Sequence, residues 1–162
     1  DFEFFAQDIE RNAAYGIEPA VLMDTYQINQ CTQDQQTKGL EVTREVMNGR
    51  PFTAGVYIED ELNHGGVDEI IRAYRDKIEQ LELQYGASPI VFQTEQLKNA
   101  DSVTVVRVYQ ELAEASQGGL KAFELSPVFA PNGWMFPGDS LIEILARATC
   151  VGAKHSSLDP AS

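Results

Sequence analysis

The sequence predicts an α/β fold with a parallel sheet, contained in one domain spanning residues 1–162. Short apolar runs alternate with longer amphipathic stretches, helix before strand, along the whole chain. Successive apolar runs lie roughly 30 residues apart, which leaves room for one helical crossover between parallel strands. Turn residues such as Asn48-Gly49, Gly86 and Gly118-Gly119 punctuate the segments.

Residues 2–15 read as the first helix, with Phe2, Phe5, Ile9 and Ala13 on one stripe and Gly16 as its stop. Residues 17–23 read as a short buried strand, followed by a polar stretch to Gln33. A second helix covers 34–47 and a strand covers 51–58. The strongest helical signal is 67–84, where Ile70, Ile71, Tyr74, Ile78 and Leu81 recur at helical spacing. Residues 89–92 follow as a strand, then a helix over 101–116 capped by Asp101 or Ser102. Residues 120–123 form the next strand. A long loop carries Pro127, Pro131, Asn132, Gly133 and Pro137, and Trp134, Met135 and Phe136 within it suit a lid over the site or an apolar patch on a neighbour. A short helix over 138–148 and a strand over 149–153 complete the series.

Two architectures fit this order, an open doubly wound sheet and part of a closed barrel. Both place chemistry at the carboxyl ends of the strands. Those ends carry Asp24-Thr25-Tyr26, Glu59-Asp60, Gln93-Thr94-Glu95, Glu124 and Lys154-His155. No glycine-rich phosphate loop follows the first strand, which weakens the nucleotide-binding version.

Composition narrows the partners. The hydrophobic fraction is 43%, enough for a core, and 12 Lys+Arg against 25 Asp+Glu gives a net charge of −13. So acidic a chain repels nucleic acid and anionic lipid, so neither is an expected partner. No apolar run approaches the roughly 18 residues that span a bilayer. Cys31 and Cys150 stand far apart without a metal-finger pattern, which predicts free thiols in a reducing cytoplasm and no structural metal. No cofactor is expected.

Lys154 is the most informative residue. Taken alone it has two readings: a lysine leaving its strand into water, or an amine held in a dry barrel mouth where burial favours the neutral, nucleophilic form. Its surroundings favour the second. The segment Cys150-Val-Gly-Ala-Lys154-His-Ser-Ser157 resembles the sixth-strand motif of the dihydrodipicolinate synthase / N-acetylneuraminate lyase family, whose lysine forms a Schiff base with pyruvate or another 2-oxo acid. Asn48-Gly-Arg-Pro51-Phe-Thr-Ala-Gly55-Val56 is similar to the family's third strand, and Gly16-Ile17-Glu18 to the approach to its second. The resemblance runs in order along nearly the whole chain. It implies a (β/α)8 TIM barrel, here only a partial barrel from about helix 1 to strand 6, within a longer protein. It further implies a class I lyase or aldolase, a small 2-oxo acid substrate and a homo-oligomer.

The departures from the family bear on the site. Where the family has Gly-Thr-Thr-Gly-Glu to hold the substrate carboxylate, this chain has Asp24-Thr25-Tyr26-Gln27. Thr25 carries over as a substrate contact, Tyr26 and Glu59 stand beside it as candidate binding residues, and Asp24 would repel a carboxylate unless turned away or paired. Where the family has a proton-relaying tyrosine, this chain has Phe123-Glu124, and Glu124 is the candidate general acid/base. Two other functions remain open. One is a metal-dependent lyase on the same barrel that uses Asp24, Glu59, Glu124 and His155; the other is a barrel that binds a small ligand without turning it over.

Overall fold

The fold is known from a computed structural model, which describes residues 1–24, 28–58, 66–129, 133–146 and 149–157. Thr25, Tyr26, Glu59, Asp60 and His64 lie outside the described residues.

Among the described residues five α-helices and five strands alternate. They are α1 (Phe2–Ala14), β1 (Ala20–Val21), α2 (Gln33–Met47), β2 (Thr53–Val56), α3 (Val67–Gln80), β3 (Ser88–Val91), α4 (Ser102–Ala115), β4 (Leu120–Leu125), α5 (Ser140–Leu145) and β5 (Cys150–Ser156). Local chemistry sets several boundaries. Thr32 caps α2 through a reciprocal box with Gln35, and Asp101 caps α4 by accepting from the Thr104 amide. That bond holds the Asp101 carboxyl below the usual carboxylate range. The predicted helix over 67–84 is α-helical to Gln80 and then widens into a π turn over Leu81–Tyr85, closed by Gly86 at φ 68°. In that turn the Glu82 carboxylate accepts from the Ser116 hydroxyl and from the amides of Gln117 and Gly118, which ties the end of α3 to the turn before β4.

All four strand pairs are parallel, and the order in the sheet is β1-β2-β3-β4-β5. A doubly wound sheet reverses its order at a switch point, and this one does not. Sequential parallel winding is the path of a barrel. The two faces differ accordingly. On the helix side, Ala54, Val56, Val91, Leu120 and Ala122 pack with Tyr74, Ile78, Val105, Tyr109 and Leu112. On the other, concave side, Met23, Ile28, Ile90, Phe92, Phe123 and Leu125 form a second cluster. These are the outer and inner faces of a barrel wall.

Two strands differ from the sequence expectation for identifiable reasons. β1 is cut to two residues because Leu22 turns to φ 54°, a left-handed conformation that costs a leucine about 1 kcal/mol. The turn brings the Leu22 carbonyl against β2, where a Cβ at Gly55 would stand 2.1 Å from that oxygen. Only glycine fits there. β5 extends three residues past its expected end, so Lys154 and His155 lie within the strand and not after it.

Candidate active site

The register of β4 against β5 fixes which way each site residue faces. Phe123 pairs with Lys154 and Glu124 with His155. Side chains alternate along a strand, so these adjacent rungs face opposite sides of the wall. Phe123 belongs to the inner cluster, and Lys154 shares its face.

Lys154 Nζ stands 3.9 Å from the centroid of the Phe123 ring. The same nitrogen donates to Asp24 Oδ1 at 2.8 Å. Asp24 follows β1 and Lys154 stands near the end of β5, 130 residues later, so the barrel curvature brings them together across the mouth. Below them the aromatics form a continuous floor. Phe123 meets Phe92 edge to face at 4.9 Å, and Phe92 meets Tyr57 at 6.1 Å. The Lys154 side chain is 37% exposed and that of Asp24 is 23% exposed, so a solute can reach the pair. Tyr57, open in the sequence to facing substrate or packing, packs against this floor through its ring.

Glu124 faces the helices. It is buried, with Oε1 accepting from the Phe136 amide at 2.7 Å and Oε2 lying 2.6 Å from His155 Nδ1. Burial first, then the neighbouring Cys150 and Glu124, push the Tyr109 phenol on α4 above the ordinary tyrosine range. Strand alternation therefore puts Glu124, the candidate general acid/base, on the far side of the wall from the Lys154 amine. Three members of the candidate metal set are separated for the same reason, with Asp24 on the inner face and Glu124 with His155 on the outer; the fourth, Glu59, lies outside the described residues. Among the described residues no three His, Cys, Asp or Glu side chains gather as a metal site.

The long loop is likewise different from a lid. Trp134 and Phe136 are buried in the helix-side core, with the Phe136 ring 5.2 Å from those of Tyr109 and Trp134. Gln93 fastens the loop: its Nε2 donates to the Trp134 carbonyl, and its Oε1 accepts from the Leu125 amide. Trp134 Nε1 donates to the Thr94 carbonyl. The loop backbone closes tightly on β4, since a Cβ at Gly133 would stand 2.4 Å from the Leu125 carbonyl oxygen.

The sequence reading assigned Asp24 differently, as an obstacle to a carboxylate or as a metal ligand, and the structure pairs it with Lys154. Its proximity to Lys154 had no local signal. The strand-end position was visible, but the distance across the mouth depends on the register of four strand pairs.

No family model matches the chain, and no curated protein matches it. Among solved structures it is similar to a putative dihydrodipicolinate synthetase from Pseudomonas aeruginosa, with a TM-score of 0.71, 16% identity, and coverage of 98% of this chain and 51% of that one. It is also similar to N-acetylneuraminate lyase from Mycoplasma synoviae, with a TM-score of 0.55, 15% identity, and coverage of 95% of this chain and 48% of that one. The chain spans about half the length of each of these structures. At such identity the likeness is one of fold, and together with the sequential parallel sheet it identifies the chain as part of a TIM barrel of the kind these two proteins share.

Proposed function

We propose that the chain belongs to a class I lyase or aldolase of the dihydrodipicolinate synthase / N-acetylneuraminate lyase type, in which Lys154 forms a Schiff base with a small 2-oxo acid. The observation that carries this reading is the position of Lys154. Its amine lies on the inner face near the carboxyl end of β5, on an aromatic floor and against one carboxylate. TIM-barrel chemistry resides at that end. The fold likeness to a lyase of this type agrees with it.

The pairing with Asp24 suggests how the amine is activated. An ammonium held by a carboxylate at 2.8 Å is not a nucleophile. When a carbonyl compound displaces water from the mouth, Asp24 accepts one proton from Lys154. The neutral amine then adds to the carbonyl carbon, and the carbonyl oxygen becomes the hydroxyl of a carbinolamine. Asp24 returns its proton to that hydroxyl, water leaves, and the iminium remains beside the aspartate anion. The iminium accepts the electron pair of the breaking carbon–carbon bond, or the derived enamine supplies the pair to form one. In this account Asp24 takes the proton-transfer role first expected of Glu124. We assign substrate binding to Thr25, as the contact to the substrate carboxylate or a hydroxyl, and to Tyr26 and Glu59. A cytoplasmic homo-oligomer is the form in which we expect the enzyme to work.

The test is borohydride trapping of the full-length protein with pyruvate and a panel of 2-oxo acids, read by intact mass. A reduced adduct that disappears in Lys154→Ala supports the reading. Absence of any adduct, in folded protein, would leave the Lys154–Asp24 pair as a structural ion pair in a ligand-binding barrel.

A further inference from the structure

We infer that Glu124 and His155 are positioning residues whose bond on the outer face of the barrel wall holds the Lys154 amine in place on the inner face. The inference rests on the Schiff-base reading above for its catalytic consequence, though its geometric content can be measured separately.

The two rungs are consecutive. Phe123 pairs with Lys154, and Glu124 with His155. On the inner side Lys154 rests on the Phe123 ring at 3.9 Å and reaches Asp24 at 2.8 Å. On the outer side the buried Glu124 carboxylate joins β4 to β5 through His155 at 2.6 Å, and joins both to the loop through the Phe136 amide at 2.7 Å. That amide belongs to a segment anchored in the core by Trp134 and Phe136. The carboxylate thus ties the end of β5 to a segment buried in the helix-side core.

This bond matters because it is the side-chain tie between β4 and β5 at the rung next to Lys154, added to a backbone ladder that runs on to Leu125 and Ser156. Among the described residues β5 pairs with β4. A lysine has four rotatable side-chain bonds, and its nitrogen keeps one location only if its Cα is also fixed. The twist of β5 at residues 154 and 155 sets both side-chain directions together. Releasing His155 from Glu124 lets the strand rotate, which carries the Lys154 nitrogen off the Phe123 ring.

The experiment labels the lysines of the full-length protein by reductive ¹³C-methylation and assigns the Lys154 signal with Lys154→Arg. A nitrogen standing over an aromatic ring carries methyl groups shifted upfield. The signal should be displaced upfield in the wild type and return to the position of exposed lysines in Glu124→Leu and His155→Phe. Trapping by borohydride, measured on unmethylated protein, should slow by about tenfold or more in those variants, the scale on which small displacements act. Glu124→Gln should keep the upfield signal and most of the trapping rate, because its amide can accept from Phe136 and donate to a neutral His155. Circular dichroism and the melting temperature establish that each variant is folded. Glu124→Leu removes a buried charge along with its partners, and His155→Phe serves if Glu124→Leu does not fold. An unmoved Lys154 signal in either folded variant, or a wild-type signal without the upfield shift, would overturn the inference. An upfield signal that is lost in the variants, in a wild type that traps no carbonyl compound, would support the positioning and refute the Schiff-base reading.

Discussion

Two lysines point to the inner face of the sheet, one near each end, and their surroundings differ. Lys121, near the start of β4, donates to the Thr53 hydroxyl at 2.8 Å and lies 3.5 Å from Glu18, while Thr53 itself donates to Glu18 at 2.7 Å. Its neighbours are already bonded to each other. Lys154, at the far end, has one carboxylate and the face of an aromatic ring, and no other hydrogen bond to its nitrogen is present among the described residues. The lower lysine completes a closed polar cluster that joins three strands or their flanks. The upper one leaves bonding capacity that a ligand can use. In TIM barrels the amino-terminal end carries stability and the carboxyl-terminal end carries chemistry, and the two lysines sit at those two ends.

The contrast can be broken at each level. The largest effect is expected from Asp24→Asn, which removes the proton acceptor beside Lys154 and keeps the shape. Imine formation should slow on the order of 10²-fold, the usual worth of a positioned acid/base, with little change in melting temperature. A rate within a factor of about two of wild type would remove Asp24 from the mechanism. Gly55→Ala acts between the two lysine layers. The new methyl meets the Leu22 backbone and the Phe92 ring, so stability should fall by about 2–3 kcal/mol in urea unfolding. An unchanged midpoint would mean that the Leu22 turn is not held against β2. Lys121→Met should cost about 1 kcal/mol or less, because the ion pair is partly exposed, and should leave trapping intact.

The smallest effect concerns pH. Tyr109 has its pKa raised in the folded state by burial first, then by the charges of Cys150 and Glu124. A group with a raised folded pKa contributes stability that is complete below its unfolded value, about 10 for tyrosine, and is lost as pH rises beyond it. Burial also raises the Cys150 thiol, which adds a loss of the same sign from about pH 9. Stability should therefore decline at alkaline pH, and Tyr109→Phe should flatten the part above pH 10. An identical alkaline decline in Tyr109→Phe would contradict the assignment.

The sequence was informative where the signal is local. Thr32, Asp101 and Gly86 mark helix ends by their own chemistry, and the apolar spacing of Ile70, Ile71, Tyr74 and Ile78 places α3. The barrel was also within reach, because the alternation of helix and strand at roughly 30-residue spacing is visible in the sequence. The facing of Glu124 was not. Apart from Lys121, β4 is buried on both faces, so its residues show no polar–apolar alternation from which a direction could be read. Parity with Lys154 becomes visible only once the register of β4 and β5 is known. The same holds for the long loop. Its aromatic run suited a lid, but Gln93, about 40 residues earlier, draws Trp134 into the core through a bond that leaves no trace in local sequence.

The most direct test of the account is to find which lysine carries the carbon of a bound carbonyl. The full-length protein would be reduced with borohydride in the presence of the best-trapping 2-oxo acid, digested and mapped by mass spectrometry. The account predicts modification at Lys154 alone, retained in Lys121→Met and absent in Lys154→Ala. Modification at Lys121, or an adduct that survives Lys154→Ala, would contradict it.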